Sequence, residues 1–74
     1  MTAGVDPASV AVGDVIAWRT WSGDIARAEV WHIERLTSGE PLRIRAGERM
    51  YWEATCAFSL AEALRGCWLE PAAA

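Results

Sequence analysis

The clearest pattern in the chain is an alternation of apolar and polar side chains over residues 50–58. Every even position there is apolar, including Trp52 and Cys56, and the odd positions carry tyrosine, glutamate and threonine before a single alanine. Successive side chains of a strand point to opposite faces, so the alternation predicts one buried and one solvent-facing side. We therefore expect a central strand over residues 50–58, with Trp52 and Cys56 in the core.

A second alternating segment, residues 42–46, precedes this strand. Leucine, isoleucine and alanine occupy its inward positions, which leaves Arg43 and Arg45 facing outward. The Gly-Glu-Arg segment at 47–49 is typical of a turn. The two segments and the turn together predict a hairpin from residue 42 to residue 58.

Residues 25–37 are compatible with two different elements. As a helix, the segment would place Glu29 within its apolar arc. As a strand, it needs one bulge near Val30, after which Trp31 and Ile33 would face inward. Aromatic and β-branched residues favour strands. A strand is therefore the favoured prediction, and a helix is the alternative.

A serine followed three residues later by a glutamate predicts the start of a helix near the C-terminus. Ser59 and Glu62 have the spacing of a capping box. Good helix formers follow, and Gly66 is placed to end a helix of about two turns. Residues 67–70 then predict a last short strand, which Pro71 would end.

The first strand region, residues 10–21, contains a turn or bulge signal at Gly13-Asp14. Its Val-Gly-Asp-Val-Ile-Ala-Trp portion resembles the entry strand of SH3-like small barrels such as Tudor-type and KOW-type modules. The later Ala-Glu-Val-Trp-His-Ile-Glu portion resembles their second strand, so the resemblance covers residues 12–34. Ala28 stands where these modules usually carry a glycine. The resemblance implies a binding module, with nucleic acid or protein as its ligand.

These segments predict a mainly β fold: a small bent antiparallel sheet or an SH3-like barrel, with one short helix near the C-terminus. The alternative is an α+β fold with a helix at 25–37. A chain of 74 residues is long enough for one domain. We expect that domain over residues 10–70, a flexible arm at 1–9 and a frayed end at 71–74.

Composition narrows the range of functions. The net charge is −3, and all seven basic residues are arginine. An acidic balance argues against a protein that binds a phosphate backbone through bulk charge. Five tryptophans are many for so short a chain and its thin core. We therefore expect some of them at the surface, where a homo-oligomer could bury them.

The sequence contains no P-loop, dinucleotide fingerprint, metal-binding helix motif or nucleophile elbow. His32 is the single histidine, and together with Cys56 and Cys67 it falls short of the four ligands of a structural zinc site. We therefore predict a non-enzymatic protein without metal or cofactor. The pattern of a signal peptide and an apolar run of ~18 residues are both missing, so we expect a cytoplasmic protein with no membrane partner.

The candidate binding site combines outward-facing arginines with aromatic side chains. Its members are Arg43, Arg45, Arg49, Tyr51 and Trp21. Arginine and the large aromatic residues are enriched at the hot spots of protein interfaces. The same pairing can also stack on bases and contact phosphates. An ordinary solvated face, with Glu48 and Glu53 balancing the arginines, is the alternative.

The favoured function is a small protein-binding module, a regulator or inhibitor that docks on a larger protein machine. In size and character the chain is similar to small phage-encoded inhibitors, including anti-CRISPR proteins, although no motif carries this analogy. The alternative is a nucleic-acid-binding SH3-like barrel that uses the arginine and tyrosine face.

Overall fold

The structure is a computed structural model that describes residues 5–70. Its elements are a 3-10 helix (Pro7–Ser9), β1 (Val15–Arg19), β2 (Ile25–Arg35), β3 (Pro41–Ala46), β4 (Met50–Glu53), α1 (Leu60–Ala63) and β5 (Cys67–Glu70). The five strands form an open antiparallel sheet in the order β4-β3-β2-β1-β5. The prediction of a mainly β fold with one short helix near the C-terminus is confirmed.

The long strand β2 joins the two parts of the sheet. Its residues 25–29 pair with β1, and its residues 30–35 pair with β3. Val30 is opposite Ala46 and His32 is opposite Arg45, so the residue between them is a bulge. The predicted bulge near Val30 is therefore confirmed. The alternative of a helix at 25–37 is wrong, because strands on both sides hold this segment in an extended conformation.

The core lies on the inner face of the sheet, beneath α1 and the N-terminal residues. Its largest wholly buried side chains are Ile16, Val30, Ile44 and Leu64. Trp52 is buried as predicted, and its ring meets Trp18 edge-on at a centroid distance of 5.5 Å and an interplanar angle of 81°. Edge-to-face aromatic pairs add to the stabilisation that burial provides.

The N-terminal residues that the structure describes pack against the domain. Val5 and Val10 belong to the buried core. Between them the 3-10 helix is capped by Asp6, whose Oδ1 accepts the backbone N–H of Ala8 at 3.1 Å. The predicted flexible arm at 1–9 therefore differs from the structure at residues 5–9. Residues 1–4 and the predicted frayed end at 71–74 lie outside the described residues.

Strand β4 is shorter than the alternation predicts, because a side-chain turn ends it. The Thr55 hydroxyl accepts the backbone N–H groups of Ala57 and Phe58 at 3.2 and 3.0 Å. Such local hydrogen bonds compete with pairing in a sheet. Cys56 and Phe58 are consequently exposed, so the prediction that the strand carries them into the core is wrong.

The predicted capping box is present at the start of α1. The backbone N–H of Glu62 donates to the Ser59 hydroxyl at 3.2 Å, and the backbone N–H of Ser59 donates to the Glu62 carboxylate at 2.9 Å. The helix itself spans four residues, which is shorter than the predicted two turns. Gly66 adopts φ +84° shortly after it, as its predicted role in ending the helix requires.

Candidate functional site

The outer face of β2, β3 and β4 carries two rows of side chains. Paired positions of neighbouring antiparallel strands bring their side chains together on one face. The first row consists of His32, Arg45 and Tyr51, and the second of Glu34, Arg43 and Glu53. We refer to these six residues as the arginine face.

The arginines of this face are held by an ion-pair network. Arg43 donates from Nε to Glu53 at 2.6 Å and from Nη1 to Glu34 at 3.1 Å. Arg45 donates from Nε to the same Glu34 oxygen at 3.0 Å. All four side chains are about one-third exposed. Glu53 balances the arginines, as the alternative of an ordinary solvated face predicts, but its companion is Glu34 from β2 and not Glu48 from the turn.

The network shifts the ionisation of its members in the direction that favours charge pairing. The hydrogen bond from Arg45 lowers the pKa of Glu34 below its ordinary value, against the smaller opposing effect of desolvation. The hydrogen bond to Glu53 raises the pKa of Arg43. The network pairs two guanidinium groups with two carboxylates, so their formal charges balance.

Aromatic rings adjoin the network and remain half-exposed. The Arg43 guanidinium carbon lies 5.9 Å from the centroid of the Tyr51 ring, which is within the range of a cation–π contact. Trp31 is 54% exposed and Tyr51 is 52% exposed. The rings of Trp31 and His32 are tilted by 33° with centroids 5.8 Å apart. The arginine face therefore continues into an exposed aromatic surface at Trp31.

The bulge explains why the Trp31 side chain is on the surface. Because Trp31 is the extra residue of β2, it has no direct partner on β3. The turn after β3 holds it in place: Gly47 donates its N–H to the Glu29 carbonyl at 2.9 Å and accepts the Trp31 indole N–H at 2.8 Å. The prediction that Trp31 faces inward is wrong, since a bulge can re-aim a side chain as well as exchange faces.

The structure brings together three of the predicted site residues. Arg43, Arg45 and Tyr51 line a shallow depression of about 220 Å³. Arg49 is exposed in the turn before β4 and does not line this depression. Trp21 is 99% exposed in the turn between β1 and β2. That turn precedes Ile25, at the opposite end of β2 from the arginine face, so Trp21 belongs to a different surface.

Sequence reasoning missed Trp31, His32 and Glu34 as members of this surface. The pairing of Glu34 with two arginines depends on the register between β2 and β3, which the bulge shifts. One available signal was the bulge itself, since bulges are frequent at functional sites and alter side-chain direction. Cys56, although exposed, lies beyond β4 in the Thr55 turn and is not part of the arginine face.

The outer face of β5, β1 and β2 is organised differently. The Glu70 carboxylate accepts the Arg27 Nε–H at 2.8 Å with one oxygen and the Trp68 indole N–H at 2.7 Å with the other. Ala17 is paired with both Arg27 and Trp68 and has no exposed surface. Since Ala17 lies outside the core cluster, its neighbours on this outer face are what cover it.

A larger groove of about 390 Å³ lies between the N-terminal residues and the start of α1. Pro7, Leu42 and Leu60 are among its apolar lining residues. Of its carboxylates, Asp6 already accepts a backbone N–H from the 3-10 helix. The groove thus provides apolar surface without a set of directional donors, in contrast to the arginine face.

Metal-ligand clusters and membrane-spanning helices are both missing from the part of the chain that the structure describes. Among residues 5–70, no group of three or more His, Cys, Asp and Glu side chains could hold a metal ion. Over the same residues, no helix has the length and apolar character of a membrane-spanning segment. Comparisons of the chain with protein-family models, with curated proteins and with solved structures give no significant match.

Proposed function

We propose that this chain is a non-enzymatic protein-binding domain that docks on a larger protein through its arginine face, as a regulator or inhibitor. The observation that carries the proposal is the juxtaposition of two oriented arginines with the half-exposed Tyr51 ring, on a face that continues through His32 to the half-exposed Trp31 ring. Arginine, tyrosine and tryptophan are the residue types most enriched at interface hot spots.

The ion pairs strengthen this proposal because they orient the arginines before a partner arrives. A free arginine side chain loses rotamer freedom on binding, which costs affinity. Glu34 and Glu53 already hold the Nε groups of Arg45 and Arg43, so part of that rotamer freedom is lost when the chain folds and not when the partner binds. Trp31 is held in the same way by its hydrogen bond to the Gly47 carbonyl.

Nucleic acid is the second candidate ligand, because arginines beside exposed aromatic rings can bind a single strand by stacking. The charge of the arginine face favours a protein. Each of its two arginines is matched by a glutamate within 3.1 Å, so little positive charge is left to attract a polyanion. Nucleic-acid binding of this kind depends on phosphates that basic residues neutralise.

The test is affinity capture from a lysate of the source organism, followed by identification and purification of any captured protein. Direct titrations of that protein then compare the wild type with the double variant Arg45→Ala, Tyr51→Ala. We expect the double variant to lose binding by at least ~30-fold, as removal of hot-spot residues does. Arg65→Ala, at an exposed arginine beyond α1, is the matched control and should bind like the wild type.

Thermal melts of each variant establish that the fold is retained. The proposal fails if the double variant binds the partner as tightly as the wild type. A parallel titration with single-stranded RNA and DNA at low and high salt tests the second candidate. Binding that weakens steeply with salt and depends on Arg45 and Tyr51 would favour nucleic acid over protein.

A further inference from the structure

We infer that the depression between Arg43, Arg45 and Tyr51 is a carboxylate-binding site that receives an aspartate or glutamate side chain of the partner protein. This inference rests on the proposed function and adds the chemistry of the partner. It concerns the three side chains that line the depression of about 220 Å³.

The lining residues retain hydrogen-bond donors that the network does not use. Arg43 engages its Nε and Nη1 atoms, and Arg45 engages its Nε atom alone. Within residues 5–70, no hydrogen bond involves Nη2 of Arg43, either Nη atom of Arg45, or the Tyr51 hydroxyl. Guanidinium groups donate and cannot accept. The chemistry of the depression therefore selects a ligand that presents acceptor oxygens.

The geometry of the donors favours a planar acceptor group. An arginine presents its N–H groups in a rigid fork that matches a carboxylate in a bidentate arrangement. The Nε edges of both arginines are turned toward Glu34 and Glu53. Those two ion pairs restrain the guanidinium planes, and with them the direction in which the terminal nitrogens can donate. Tyr51 also lines the depression, and its hydroxyl is a further donor of a different shape.

The glutamates beneath the arginines discriminate between anions. A carboxylate brings one negative charge, whereas a phosphate monoester brings about 1.5 to 2 at neutral pH. Glu34 and Glu53 lie within 3.1 Å of the guanidinium nitrogens and already offset their charge. A dianion therefore meets two fixed carboxylates with no surplus positive charge to stabilise it. The same hydrogen bonds with a monoanion carry a smaller repulsion.

The half-exposed Tyr51 ring gives the site an apolar wall, so a carboxylate on an apolar stem fits better than a bare ion.

The probe used to test the carboxylate site is 3-phenylpropionate. Its neutral counterpart 3-phenylpropionamide and the dianion phenyl phosphate serve as comparisons. Each is titrated at pH 7 and constant ionic strength into the ¹⁵N-labelled full chain, and NMR follows the backbone amides and the arginine Nε–H signals.

We expect 3-phenylpropionate to shift the Nε–H signals of Arg43 and Arg45 saturably. The neutral amide and phenyl phosphate should each bind at least about ten-fold more weakly than 3-phenylpropionate, given the strength of charge-assisted hydrogen bonds. Tyr51→Phe keeps the ring and removes one donor, so it should weaken binding about two- to ten-fold. Arg45→Gln should abolish the saturable shift, and Arg65→Gln should leave it unchanged.

Tighter binding of phenyl phosphate than of the carboxylate would overturn the inference, and so would the absence of a saturable shift at these arginines. Because Tyr51→Phe alters one surface hydroxyl, its result remains decisive even if Arg45→Gln unfolds the chain. The capture experiment fails separately from this one. A captured partner that depends on Arg45 and Tyr51 while the carboxylate probe does not bind would preserve the protein-binding function and remove the carboxylate site.

Discussion

The two halves of the sheet's outer face use the same residue types to opposite effect. On β5, β1 and β2, the cluster of Trp68, Arg27 and Glu70 uses both carboxylate oxygens internally and leaves Ala17 fully covered. On β2, β3 and β4, the arginine face forms a comparable set of ion pairs but leaves a depression between Arg43, Arg45 and Tyr51, and the Tyr51 ring stays half-exposed.

The residue on the central strand of each half explains the difference. Ala17 occupies the middle of the first half, and its small side chain lets its larger neighbours close over it. Arg43 and Arg45 occupy the middle of the second half, where long side chains must reach sideways for glutamates and leave a depression between them. A small central residue is thus covered by its neighbours, whereas two central arginines leave a depression between them.

The largest expected effect comes from the core that both halves share. Trp52 of β4 meets Trp18 of β1 across the inner face. Trp52→Ala should therefore reduce the free energy of unfolding by about 3–5 kcal/mol, because it removes a large buried ring and leaves a cavity in the core. Chemical denaturation measures this loss. Trp21→Ala is the control and should be nearly silent, since that side chain is 99% exposed. Equal stability of the two variants would contradict the strand register.

A smaller loss of stability is expected from a larger side chain at Ala17. Ala17→Leu places a large side chain where Arg27 and Trp68 flank a residue with no exposed surface. Overpacking of this kind should destabilise the fold by about 1–3 kcal/mol, as measured by thermal and chemical denaturation. Ala61→Leu, at an exposed position of α1, is the matched control. If Ala17→Leu were as stable as the wild type, the outer cluster would not be closed over Ala17.

The helix cap at Ser59 stabilises the half of the sheet that carries the arginine face. α1 packs against β3 and β4, so its start supports the half of the sheet that carries the arginine face. Ser59→Ala removes the acceptor for the Glu62 N–H and should cost about 1 kcal/mol of stability, whereas Ser59→Asp should be tolerated. Amide hydrogen exchange should rise more in β3 and β4 than in β5. Uniform exchange across all strands would show that the cap acts on the whole domain.

The smallest expected effect is the pH dependence of stability that arises from the carboxylates of Glu34 and Glu70. Hydrogen bonds from Arg45 and from Arg27 lower the pKa of Glu34 and of Glu70, respectively. The two ionised carboxylates make their full contribution to the free energy of unfolding above the unfolded pKa of glutamate, about 4.3. It is lost as the pH falls through the lower folded-state values.

Carboxyl ¹³C NMR titrations measure both pKa values directly. Arg45→Gln should raise the titration midpoint of Glu34, because it removes the largest cause of the lowered pKa. The midpoint of Glu70 should not move, because its hydrogen-bond partners are Arg27 and Trp68 on the other half. A Glu34 midpoint that is unchanged in the variant would show that the ion pair seen on the arginine face does not persist in solution.

The parts of the fold that were predicted correctly follow from patterns among residues close together in the sequence. Alternation placed Trp52 inward and Arg43 and Arg45 outward, because a strand's side chains change face at every residue. The capping box at Ser59 was readable for a similar reason, since both of its hydrogen bonds join residues three positions apart. Alternation failed at Cys56, where the Thr55 hydroxyl bends the chain away from the sheet.

Local sequence pattern is thus enough to predict the hairpin, the helix start and the outward direction of Arg43, Arg45 and Tyr51, because each depends on residues close along the chain. The contacts that those side chains make depend instead on how the strands pair in the folded sheet. Glu34 reaches the arginines because a bulge shifts the register of β2 against β3, and the same bulge brings Trp31 to the surface. Such cross-strand partners depend on pairing geometry and not on local composition.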